Sequence, residues 1–483
     1  MPTIPALVWF RIDLRLADNP AMQAAMERGG PIIPIFIHAP DEETPWQPGA
    51  ASNWWLHQSL TALQSRLRDI GSRLIIRRGP TIEALRSLIK ETGADAVFWN
   101  RRYEPAVVAR DAQIEKTLRR DGLQAESFNA ALLNEPWTIQ NQSGKPFQVF
   151  TPFWKHCLMD LEPAVPLTAP KSLPTPKKWP KSLKLAELAL EPKIKWANGI
   201  AAAWQPGEES AHTSLKRFLS SALEDYTLKR NYPDSPGTSR LSPFLHFGEI
   251  SPRQIWHAVR RHAETHNNKT WRATQFITEV GWREFSHHLL YHFPHTPENP
   301  LRRDFENFPW RKNPTALKAW QKGQTGYPIV DDGMRELWTT GWMHNRVRMI
   351  VASFLIKDLL LPWQTGARWF WDTLVDADLA QNTLGWQWTA GCGADAAPYF
   401  RIFNPTSQGE KFDEAGNYVR RWCPELAKLP NKWIHQPSKA PTEILQNAGV
   451  KLGQTYPKPI VDHAEARNEA LEAFSKIRPI RMV

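Results

Sequence analysis

A change of hydrophobic rhythm divides this chain. Short apolar runs at Ala6–Phe10, 31–37, 73–76 and 94–99 read as buried strands, and amphipathic stretches such as 54–69 and Thr81–Thr92 lie between them as helices. Strand, helix, strand in this order requires parallel strands with right-handed crossovers, so residues 1–130 are expected to form a doubly wound α/β domain. No GxGxxG follows the first run, which argues against a dinucleotide held in the usual Rossmann manner. From about Thr151 to Gly207 Pro and Lys take over, a composition that sustains neither a continuous helix nor a central strand. Residues 131–207 are therefore read as an extended interdomain linker. Past Glu208 the spacing is almost wholly helical, with breaks at Gly237, Pro243, Pro294, Gly341 and Pro362, which makes 208–483 an all-α domain.

Four segments of the helical part hold polar and aromatic residues that a plain bundle does not need. In 226–248 the run Thr238, Ser239, Arg240, Leu241, Ser242 puts hydroxyls and backbone N–H groups at a helix start. Such a run suits a pyrophosphate and serves equally well as ordinary capping. In 271–293 Phe276, Glu279, Trp282 and Arg283 share one helical face. An acid among aromatics is costly unless paired, protonated or functional, so Glu279 is either a working carboxyl or the partner of Arg283. His288 and His292 stand four apart without a third ligand at metal spacing and read as core or solvated histidines. In 328–357 two helical runs meet near Gly341, and Asn345, Arg348 and Met349 on the second share a face that suits a polar heterocycle. In 371–388 Asp378, Asn382 and Trp386 follow at i+4 steps, and Asp376 is a natural partner for Arg348.

Sixty Lys and Arg against forty-nine Asp and Glu leave a formal charge of +11, which fits a polyanionic partner or simply a basic enzyme. Three scattered cysteines, Cys157, Cys392 and Cys423, support neither a disulfide scaffold nor a thiolate metal site and fit a reducing cytosol. The opening residues lack the basic and apolar regions of a signal peptide, and no run reaches transmembrane length, so a cytoplasmic protein is expected. Twenty-four tryptophans exceed what core packing requires. Rings in such number build base-stacking surfaces, aromatic cofactor sites or electron paths.

The long motifs VWFRIDLRLADNPA (8–21), GTSRLSPFLHFGEISPR (237–253), EVGWREF (279–285), GYPIVDDGMRELWTTGWMHNRVRM (326–349) and DADLAQNTLGWQWTAGCGADAAPYFRIFNP (376–405) resemble, in order and over nearly the whole chain, the photolyase and cryptochrome family. The likeness is specifically to bacterial photolyases that repair cyclobutane pyrimidine dimers. It implies a U-shaped FAD in the helical domain, its phosphates held by Tyr226 and by Thr238, Ser239, Arg240, Leu241 and Ser242. It implies a clamp on the isoalloxazine by Arg348 and Asp376, with Asp378 at the ring's polar edge and Asn382 at N5. Phe276, Arg283, Asn345 and Ala377 complete the cofactor's surroundings. Glu279, Trp282, Asn345, Met349 and Trp388 are then expected to line the lesion pocket, and Arg230, Arg346, Arg401 and Gln408 to lie near the DNA backbone. Trp386, Trp363 and Trp310 match the family's electron relay.

The same resemblance implies light-driven transfer of an electron to a flipped-out dimer stacked on Trp282 and Trp388, with Glu279, kept protonated by apolar neighbours, donating to a pyrimidine carbonyl. The expected partner is UV-damaged DNA and the expected form a monomer in the bacterial cytoplasm, on the nucleoid when bound, with no membrane association. An antenna chromophore is implied in or beside the α/β domain, methenyltetrahydrofolate ahead of 8-hydroxy-deazaflavin, although Ala106 and Val107 stand where familiar folate-binding relatives carry Asn and Glu. Three rivals remain: a (6-4) photolyase, disfavoured because Asn345 and Met349 replace the histidines of its lesion face; a cryptochrome-like photoreceptor, disfavoured by the lack of a long tail; and a DNA-binding flavoprotein without repair activity.

Overall fold

The computed structural model describes residues 4–192, 194–396 and 401–477, so residues 397–400 of the last motif lie outside it. Five parallel strands, β1 (Ala6–Phe10), β2 (Ile32–His38), β3 (Ile75–Arg78), β4 (Ala96–Asn100) and β5 (Gln124–Phe128), form one sheet in the order β3-β2-β1-β4-β5. Helices α1 (Pro20–Arg28), α2 (Ala50–Asp69), α3 (Thr81–Thr92) and α4 (Pro105–Arg120) make the crossovers. Every residue of β1 is buried, which explains its unbroken apolar run: a central parallel strand is covered on both faces. Leu7 and Trp9 pack with Leu85 and Leu88 of α3 and Leu118 of α4 on one face of the sheet. Val8 and Phe10 join a core on the other face that continues into the helical part through Phe244, Phe247 and Trp256.

The expected α/β fold followed by helices is present, with two differences in detail. β5 was not among the expected strands, because QAESF is an edge strand with one fully buried residue and little apolar signal. The stretch read as an extended linker holds an eleven-residue helix, α5 (Phe150–Asp160), whose Phe150, Phe153, Trp154 and Cys157 are buried. Aromatic burial there outweighs the surrounding Pro and Lys.

The strand order reverses between β1 and β4, and the helical part is fastened to the strand ends at this switch point. Glu208 accepts from the backbone N–H groups of Leu16 and Ala17, each at 2.9 Å, and Arg15 donates to the Gly248 carbonyl at 2.8 Å. Arg253 pairs with Asp18 at 2.9 Å. Burial pushes the Glu249 carboxyl up to about 8, so it holds Ser59 and Trp55 of α2 as a neutral acid.

Candidate cofactor and substrate cavity

A cavity of about 610 Å³ opens within the helical part, well inside the span of about 300–1,000 Å³ usual for ligand sites. Its walls come chiefly from the helices Ser242–His246, Gln275–His292, Asn345–Ser353 and Leu379–Ala390. Gly341, at a φ of 67°, ends the helix Pro328–Thr340 and turns the chain so that Asn345–Ser353 faces inward.

On one wall Arg348 grips Asp376 with both carboxylate oxygens, at 2.8 and 3.0 Å, and donates through Nε to the Met343 carbonyl at 2.8 Å. Asp376 also accepts from the Ser242 hydroxyl at 2.6 Å. The expected pairing of Arg348 with Asp376 is thus formed, with Trp342 over the Arg348 guanidinium at 5.9 Å. Asp378 caps the helix Leu379–Ala390 by accepting from the Gln381 N–H at 2.9 Å. Burial opposes its charge, yet His287 at 3.4 Å, His246 at 4.0 Å and the nearby Arg283 hold the carboxyl well below the usual range. Asn382 donates one N–H of its amide to the Ala367 carbonyl at 3.0 Å, which fixes the orientation of the amide in the cavity wall. Tyr226, Ser239, Leu241, Phe276, Arg283 and Ala377 line the cavity as expected, and Phe276 packs against Tyr226 at 5.3 Å. Thr238 and Arg240 do not line it. Arg240, at a φ of 52°, lies between the Trp204 and Trp342 rings, 4.3 and 4.7 Å from their centroids.

The same cavity is lined by Arg230, Glu279, Trp282, Asn345, Arg346, Met349 and Trp388. Here Glu279 departs from the sequence reading in its partner and in the polarity of its neighbours. Its partner is not Arg283, which donates to the Ala131 carbonyl at 2.6 Å, and its neighbours are not apolar. Glu279 accepts from the Arg230 guanidinium and from Gln275 at 2.7 Å. Arg230 lies 49 residues away in sequence, beyond any local spacing rule. Arg346 donates to Asn231 at 2.6 Å and stacks over Phe412 at 4.5 Å; burial, then the charges of Arg230 and Arg401, lower its affinity for its proton. Arg401 and Gln408 stand outside the cavity, Arg401 exposed with its guanidinium over Phe403.

Trp386 forms part of the wall, Trp363 is buried behind it and Trp310 is half-buried, all in one packed cluster. Gly366 is required there: a Cβ at that position would come within 2.0 Å of the Trp386 ring. Of the functional candidates that sequence reasoning missed, His246, His287 and Gln275 act on residues it had found, and the WREFSHH run held the one available signal for His287. His288 is a core histidine, accepting from the Phe147 N–H at 3.1 Å with burial lowering it to about 4. Among the described residues no His, Cys, Asp or Glu group is arranged to hold a metal.

Residues 6–176 match the family model for DNA photolyase, and residues 276–476 match that for the FAD binding domain of DNA photolyase. A deoxyribodipyrimidine photo-lyase of Agrobacterium fabrum is 51% identical to this chain, over 99% of each. Cryptochrome-1 of Arabidopsis thaliana is 42% identical over 98% of this chain and 70% of its own length. Among solved structures, a bacterial class III photolyase from Agrobacterium tumefaciens superposes with a TM-score of 0.95 at 51% identity, covering 99% of this chain and 98% of that one.

Proposed function

Since this chain belongs to the DNA photolyase family, we propose that it is a deoxyribodipyrimidine photolyase, which uses blue or near-ultraviolet light to split cyclobutane pyrimidine dimers in DNA. What supports this reading above all is that one cavity holds both the Arg348, Asp376, Asp378 and Asn382 wall and the Glu279, Trp282, Asn345, Met349 and Trp388 wall. A cofactor and a flipped-out pyrimidine dimer held there are neighbours.

The donor set fits FAD. Arg348 is a fixed cation for the isoalloxazine, Ser239 supplies a hydroxyl toward the phosphates, and Phe276 and Trp386 supply apolar walls. Bound FAD supplies the electron that, on excitation, opens the cyclobutane ring and is then recovered. The protein's share is to bind, orient and tune. Asp378, its carboxyl held low by the nearby histidines and Arg283, fixes the hydrogen-bonding edge of the site, and the Asn382 amide would hydrogen-bond the bound flavin. Flipping a dimer out of the duplex costs roughly a few kcal/mol, and stacking on Trp282 and Trp388 returns about 1–3 kcal/mol per base, so the two nearly balance. Net affinity then comes from phosphate contacts of Arg230, Arg346, Arg401 and Gln408. Asn345 and Met349, neutral and without a titrating proton, favour the cyclobutane dimer over the (6-4) product.

The finer assignments follow the same reading. Residues 1–130 serve as an antenna domain, 131–207 as connector and 208–483 as catalytic domain, working as a monomer, in the bacterial cytoplasm and on the nucleoid when bound. Among the described residues no helix is long and apolar enough to cross a membrane. For the antenna we favour methenyltetrahydrofolate. A cleft of about 60 Å³ at the strand ends is lined by Trp9, His38 and Trp371 with Arg11 and Arg110, a pairing of aromatic faces and cations suited to a planar ring with an acidic tail, though it must widen to admit one. Absorption spectra of the chromophores released from purified protein separate folate from deazaflavin. The repair reading is tested by illuminating reduced protein with a thymine-dimer oligonucleotide: intact thymines return in the light, and equal recovery in the dark refutes it.

A further inference from the structure

Trp282 stacks face to face on Phe150, the first residue of α5, with ring centroids 3.8 Å apart and planes 8° from parallel. Phe150 is buried and is not part of the cavity wall, whereas Trp282 is. The face of Trp282 left for a ligand is therefore the one opposite Phe150. A second observation shows that α5 is seated firmly on the helix that carries Trp282: a Cβ on Gly281 would lie 2.5 Å from the Trp154 ring, so only glycine allows this approach.

We propose that Phe150 is a positioning residue for lesion recognition: it sets the plane of Trp282, so that this ring presents a fixed face to the flipped dimer. A side chain in the connector thereby acts on substrate without touching it. The inference rests on the proposed stacking of the dimer against Trp282. An indole with both faces free samples several rotamers, and a lesion then has to order it on binding. A parallel aromatic neighbour removes that cost beforehand.

The test compares affinity for dimer-containing and undamaged duplex in the flavin-containing protein. Phe150→Leu keeps an apolar side chain of similar bulk but no ring face, and is expected to lower the damaged-to-undamaged affinity ratio about two- to tenfold while leaving undamaged binding as it was. Phe150→Tyr restores the ratio. In a Trp282→Ala background Phe150→Leu adds nothing further. An unchanged ratio in Phe150→Leu, or the same loss in the Trp282→Ala background, overturns the proposal. If Trp282→Ala alone leaves the ratio intact, stacking on Trp282 is itself wrong, an outcome distinct from failure of the Phe150 step.

Discussion

Glu279 stands between Gln275 and Arg230 and accepts from both in the cavity wall, its side chain 29% exposed and that of Arg230 18%. Ion pairs with this much water access are worth about 0–1 kcal/mol, so a DNA phosphate competes for Arg230 at little cost and frees the carboxyl to turn toward a base. Glu279→Ala is accordingly expected to keep its FAD and to lower repair per absorbed photon about two- to tenfold, the worth of one hydrogen bond to the substrate. An unchanged yield would leave Glu279 as a rim residue only. Asp378 gives a prediction of pH dependence. Its carboxyl is held well below its ordinary value in the folded chain, so the folded state binds fewer protons than the unfolded one. The stability it contributes is complete above about pH 4 and is lost as pH falls through the lowered folded value. Thermal melts should show Asp378→Asn destabilised at neutral pH, with the gap to the parent closing in acid; a gap independent of pH would contradict a carboxyl held low in the folded chain.

The helices Trp363–Thr373 and Leu379–Ala390 meet where Gly366 lets the Trp386 ring lie against the backbone, and Phe370 packs on that ring at 5.0 Å. Trp386→Phe keeps most of this packing and removes the easily oxidised indole. If Trp386, Trp363 and Trp310 form the relay, light no longer reduces bound flavin in this variant, while chemically reduced protein still repairs dimers. Normal photoreduction refutes the role of Trp386, and loss of both activities marks a collapsed site. At this scale the sequence was legible wherever periodicity was strong. β1 and α3 have the expected bounds, and the i+4 ladder of Asp378, Asn382 and Trp386 is a helix that meets the cavity. Legibility failed where burial depends on partners distant in sequence. QAESF is a strand only because β4 offers its edge, α5 is a helix only because the core takes its aromatics, and Glu279 meets Arg230 only after the chain has folded. The pair Arg348 and Asp376 was legible because an internal base on a helix and an internal acid in the turn before Leu379–Ala390 leave each other few alternatives.

A formal charge of +11 makes the whole molecule a cation for which phosphate is the natural partner. Affinity for undamaged duplex should fall steeply and linearly in log salt, while dimer-containing DNA retains an added, less salt-sensitive increment from stacking that shrinks in Trp282→Ala. A flat salt response contradicts the phosphate-driven account. The α/β part and the helical part share a core and are pinned together at the strand ends by Glu208, Arg15 and Asp18, so an antenna and the cofactor cavity would sit in one fixed frame. In the proposed function this frame brings a flavin and a flipped cyclobutane dimer into the same cavity for light-driven repair. Its most direct measurement presents the reduced protein with DNA carrying both cyclobutane thymine dimers and (6-4) products, and counts each after blue illumination and after an equal time in the dark. The account predicts loss of the cyclobutane dimers in the light alone, with the (6-4) products untouched; dimer loss in the dark, or repair of both lesions alike, would contradict it.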